Sequence, residues 1–100
     1  MTDGCHSNRD PQSYQAHATA EAEKARRLIA EELKVGTSAT EIADFFKRHQ
    51  WPFAYEKSFE RFVSDMYRSP DGILTVVVDI YVNANKEFVR SEVKVHVTSV

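Results

Sequence analysis

The sequence predicts an α+β domain in which two N-terminal helices pack on one face of a three-stranded antiparallel meander, ααβββ in order. Three observations carry this expectation. Two alternating aliphatic runs near the C-terminus are separated by Asn83-Ala84-Asn85-Lys86, a helix–glycine–helix signature lies in the first half, and Ser69-Pro70-Asp71-Gly72 links an aromatic segment to the first aliphatic run.

Residues 1–10 are polar and without periodicity, and read as a flexible lead to a single domain over residues 11–100. Asp10 before Pro11 is a good helix opening, because Asp accepts from free first-turn amides and Pro suits the first helical position. A first helix is expected from about Pro11 to Val35, with Ala18, Ala22, Ala25, Ile29 and Leu33 inward and Leu28 at the border. Glu21, Glu23, Lys24, Arg27, Glu31 and Lys34 form its solvated face.

Gly36 then serves as a helix stop, and Ser38 with Glu41 makes a capping box for a second helix over Ala39–His49 that buries Ile42, Phe45 and Phe46. Trp51-Pro52 ends it. The aromatic segment from Phe53 to Arg68 fits both helical and strand periods. The Ser69–Gly72 tetrapeptide suits a type I turn with a bulge, which selects a strand from about Phe59 to Arg68.

In the terminal hairpin, Leu74, Val76, Val78, Ile80 and Val82 share one face, as do Val89, Val93, Val95 and Val97. Closing the turn with Val82 opposite Glu87 sets Asp79 against Arg90 and Tyr81 against Phe88. An ion pair and an aromatic pair on the outer face support that register. Tyr81, Phe88 and Tyr67 are then expected to form an apolar patch on the uncovered face, ringed by Arg90, Lys94 and His96.

Composition narrows the function. With 42% hydrophobic and 28% charged residues, three Gly and three Pro, the chain has the make-up of a globular domain. A formal charge of −2 gives no electrostatic case for nucleic acid or for an anionic membrane surface. The single cysteine, Cys5, excludes an intramolecular disulfide and a zinc site built on several cysteines. No run of residues is apolar enough to span a bilayer. His6, His17, His49 and His96 fall on four different segments without metal-ligand spacing, so no metal or cofactor is expected, and His49 reads as a helix C-terminal cap. There is no glycine-rich phosphate loop and no nucleophile motif; Asp79 and Glu92 beside Arg90 and Lys94 read as cross-strand ion pairs, not as catalytic acids. Thr98-Ser99-Val100 matches the minimal pattern of a PDZ-groove ligand.

From Leu33 to Ile42, Gly36-Thr37-Ser38 is followed by Glu41-Ile42, and two helices, an aromatic-rich strand and a polar-turned hairpin come in that order. Over about residues 25 to 98 this resembles the small bacterial lipoproteins of the SmpA/OmlA type, the BamE-like fold. The resemblance implies a non-enzymatic envelope component, anchored by lipid on an N-terminal cysteine and binding protein partners. Cys5, after Gly4, is then the expected lipidated residue, which implies a periplasmic or envelope location; without the lipid a cytoplasmic one is expected. Thr2 and Asp3 differ from the apolar and small residues that usually precede such a cysteine, and Trp51-Pro52 stands where Gly-x-Pro often follows the second helix.

Two functions of different classes follow. The first is a protein-binding or scaffold module of the bacterial cell envelope, acting through the open sheet face around Tyr81, Phe88, Arg90 and Lys94, or through a sheet edge. The second is a small ligand-binding protein or hydrolase with a pocket between the second helix and the sheet, lined by Phe46, His49, Trp51 and Tyr55. Self-association through an exposed sheet edge is compatible with either.

Overall fold

The computed structural model describes residues 11–98 and is an α+β fold. Helices α1 (Pro11–Glu32) and α2 (Ala39–Arg48) are followed by β1 (Ala54–Glu56), a 3-10 turn (Lys57–Phe59), β2 (Arg61–Arg68), β3 (Leu74–Val82) and β4 (Phe88–Val97). The sheet has four antiparallel strands in the order β1-β2-β3-β4, not three. The added strand, β1, is three residues long and pairs with the start of β2, Tyr55 lying opposite Phe62. So brief a segment carries too little alternation to announce itself.

Both helices cover one face of the sheet. On α1, Ala18, Ala22, Ala25, Ile29 and Leu33 are buried as the spacing predicts. The helix ends at Glu32, earlier than expected, because residues Lys34 to Thr37 form a turn with Gly36 at φ +97°, a left-handed conformation that suits glycine. The capping box is present: the Glu41 amide donates to Ser38 Oγ and the Ser38 amide donates to the Glu41 carboxylate. His49 is the C-cap of α2. Ile42, Phe45 and Phe46 enter a core with Ile29, Leu33, Phe62, Val78, Ile80 and Val82. A second cluster joins Ala18 and Ala22 to Leu74 and Val76.

The Ser69–Gly72 link is the expected bulged turn. Gly72 N–H donates to Ser69 O, Gly72 sits at φ +78°, and Ser69 N–H donates to Leu74 O. The Ser69 hydroxyl and the Ile73 amide both donate to Asp71, which holds its carboxyl below the usual carboxylate range.

The β3–β4 register differs from the expected one by two residues. Asp79 faces Glu92, Tyr81 faces Arg90, Val76 faces Val95 and Val78 faces Val93, where the expected register set Val76 against Val93. Parity survives, so the aliphatic faces coincide, but every cross-strand partner changes. The turn supplies one residue of this shift and the bulge between Tyr81 and Val82 the other. Asn83, not Val82, lies opposite Glu87, with Asn83 N–H donating to Glu87 O, Lys86 at φ +63°, and Asn83 Oδ1 accepting from the Asn85 and Glu87 amides.

Two bulges then turn two aromatics over. An irregularity between Asp65 and Tyr67 places Tyr67 opposite Val76, and one between Tyr81 and Val82 places Phe88 opposite Val82. Tyr67 stacks on His17 of α1, with ring centroids 5.1 Å apart, and Phe88 is 8% exposed in the main core. Neither belongs to the open face, which corrects the three-aromatic patch expected from alternation.

Among the described residues no helix is long and apolar enough to cross a membrane, and no group of three or more His, Cys, Asp or Glu is placed to hold a metal ion. Cys5 and the last two residues of the Thr98-Ser99-Val100 pattern lie outside the described residues.

Candidate functional site on the open sheet face

The sheet face that carries no helix among the described residues is organised around Asp79, at the middle of central strand β3 and 2% exposed. A carboxylate so deeply set on a nominally open surface needs charged neighbours. Arg61, from the start of β2, lies 3.6 Å from it on one side, and Lys94, from β4, lies 3.6 Å from it on the other. Sheet order fixes this arrangement, because β2 and β4 flank β3.

Tyr81 stands two residues further along β3. The Arg90 guanidinium lies 3.9 Å from the centre of its ring and the Arg61 guanidinium 5.8 Å. Arg61 also donates to the Tyr81 hydroxyl at 3.1 Å, pairs with Glu56 of β1, and reaches over the exposed Phe59 ring at 4.6 Å. Arg90 is held by Glu92 at 2.9 Å. Each cation–π contact contributes about 0.5–1 kcal/mol at such exposure. The ion pairs hold both arginines beside the ring. Next to it, Arg61, Val63, Val77, Asp79, Lys94 and His96 line a shallow depression.

Of the expected site residues, Tyr81, Arg90 and Lys94 come together here and Phe88 does not. Arg61 is the residue that sequence reasoning missed. Its place beside Tyr81 follows from the β2–β3 pairing, Arg61 opposite Tyr81, which the bulge near Tyr67 conceals.

The second expected site is differently built. Phe45, Phe46, His49 and Trp51 pack ring against ring, with centroids 4.8–6.4 Å apart, and Phe53 stacks on Phe46. Tyr55 is set apart, against Phe62 and under Lys86. The aromatics fill the space between α2 and the sheet with one another.

His49 and Arg48 instead reach back to Glu32, at the end of α1, His49 Nε2 lying 2.9 Å from Glu32 Oε2. Burial alone would raise this carboxyl; the two hydrogen bonds and the positive charge of its partners outweigh that and hold it below its ordinary value of 4.5. A depressed carboxyl stabilises the fold above its unfolded-state value and loses that contribution as pH falls through its folded one. Glu32→Gln is therefore expected to cost about 0.5–1 kcal/mol at pH 7, scaled to the partial exposure of the groups. Urea titrations should show the difference vanishing as pH drops below 4.5; a difference unchanged between pH 7 and pH 3 would rule out this ion pair as its source.

Comparison with protein-family models, curated proteins and solved structures finds no match to this chain.

Proposed function

We propose that this domain is a non-enzymatic protein-binding module that engages its partner through the open sheet face around Tyr81. The observation that supports the reading is the placement of that ring. An aromatic side chain held between two arginines, beside a deeply set aspartate and on a face with no helix over it among the described residues, has the make-up of binding hot spots. Both arginines are pre-positioned by Glu56 and Glu92, so little side-chain freedom is lost when a partner docks. The cell envelope is the expected compartment, with Cys5 as anchor; the resemblance noted above is its support.

A photo-crosslinker tests the site. Benzoylphenylalanine in place of Tyr81 is expected to yield, in the source cells, a discrete adduct with a protein other than this chain. The same group in place of Glu31, on the exposed face of α1, should not yield it. Absence of an adduct from position 81, or identical adducts from both positions, would remove the open face as the binding surface.

A further inference from the structure

We propose that the exposed edge of β4 pairs antiparallel with the same edge of a second copy, joining two four-stranded sheets into one across a two-fold axis at Val93. This inference is independent of the open-face reading.

The backbone shows which groups the edge offers. Thr98 N–H donates to Ile73 O, so antiparallel alternation directs the amides and carbonyls of His96, Lys94, Glu92 and Arg90 to β3. Those of Ser91, Val93, Val95 and Val97 then point away from the sheet. At its start this edge is already occupied: Phe88 N–H donates to Thr37 O, and Gly36 N–H donates to Phe88 O. Further along, Arg26 of α1 donates to Val93 O at 2.9 Å, standing where a neighbouring strand's amide would stand. Among the described residues no other group bonds to this edge. The stretch from Ser91 to Val97, unpaired apart from the Arg26 contact that an incoming strand's amide would replace, is long enough to template a strand.

Charge selects the occupant and its register. Outward groups must meet outward groups, so the register of a self-pair changes only in steps of two. With Val93 opposite Val93 of the second copy, Glu92 lies opposite Lys94 of the second copy, twice by symmetry, and Val89 lies opposite Val97. Those two are the exposed large hydrophobics of β4, at 45% and 58%. The neighbouring registers set Lys94 against Lys94 or Glu92 against Glu92, which is unfavourable. The helices also fit. α1 packs over both β3 and β4, so across the axis the two copies of α1 lie about 10 Å apart, a normal helix-packing distance. The α1 of the second copy then closes the groove that Arg26, Ile29, Ala30, Phe88 and Ser91 line beside the edge.

Sedimentation equilibrium of the full chain, from micromolar to millimolar concentration, should give a mass rising to twice the 11.5 kDa of one chain. Val95→Pro removes an amide that points away from β3, a change that edge strands tolerate, and is expected to leave a folded monomer. The register has its own test. Glu92→Lys and Lys94→Glu should each give monomers, because each sets like charges opposite one another twice, and an equimolar mixture of the two should recover the double mass. A wild-type chain monomeric throughout overturns the proposal and leaves the edge to another strand. So does a dimer that Val95→Pro leaves intact while its circular dichroism stays native. If Val95→Pro unfolds the chain, the mixing experiment decides: homodimers of both charge variants, or no recovery on mixing, overturn the register and the proposal with it.

Discussion

Phe88→Ala is expected to lower the unfolding free energy by about 3–5 kcal/mol, the range for truncating a buried Phe. The ring is 8% exposed and packs in the main core cluster, beyond the bulge that separates Tyr81–Arg90 pairing from Val82–Phe88 pairing. A domain of this size has about 5–15 kcal/mol in total, so the variant should unfold at a much lower urea concentration. Tyr81→Ala offers the contrast. It removes two cation–π contacts from a half-exposed ring and is expected to cost about 1–2 kcal/mol. Paired urea titrations compare the two. Equal costs would mean that Phe88 lies on the open face and that the bulge is misplaced.

Asp79→Leu is expected to act the other way, raising stability by about 1–3 kcal/mol, because a buried ionic group is often matched or exceeded by an apolar side chain of similar volume. The usual penalty of stranding its partners is small here. Lys94 is 59% exposed and Arg61 keeps Glu56 and the Tyr81 hydroxyl. The same substitution removes the negative charge at the centre of the open face and the carboxylate beside which Lys94 lies, so the crosslinking yield from position 81 should fall. A variant clearly less stable than the wild type would show that Asp79 is there for the fold. Gain of stability with loss of crosslinking is the pattern of a residue kept for binding.

The sequence shows most clearly where a repeat of 3.6 residues or a local hydrogen-bonding signature fixes the chain. Ala18 to Leu33 reads as a buried stripe, and Ser38 with Glu41 reads as a cap, because each depends on neighbours within one or two turns. The Ser69–Gly72 turn is legible for the same reason. Tyr67 and Phe88 are not, because strict alternation assumes an unbroken ladder and each lies beside a bulge. Met66-Tyr67 and Phe88-Val89 are consecutive apolar pairs at the two bulges, but Phe62-Val63 is another such pair in an unbroken part of the ladder, so the pairs do not mark the bulges. The hairpin register is displaced by two residues because Lys86 adopts the left-handed conformation, which shortens the loop by one, and the bulge between Tyr81 and Val82 adds the other; a lysine gives no warning of the first. Tyr81, Arg90 and Lys94 could be named as site residues from β3 and β4 alone, whereas Arg61 needed the pairing of β2 across the irregularity near Tyr67.

The brevity of β1 has a consequence for growth. The sheet's two margins are unequal: three residues behind Pro52 at one side, ten at the other. A fibre needs two adhesive margins on every subunit, so that each addition exposes a new one. Here the pairing of two long margins consumes both and leaves only a β1 at each end. Assembly by this route terminates at two chains. Lengthening β1, for instance by replacing Pro52 and extending the strand toward Gln50, would be the change that converts a closed pair into a polymer.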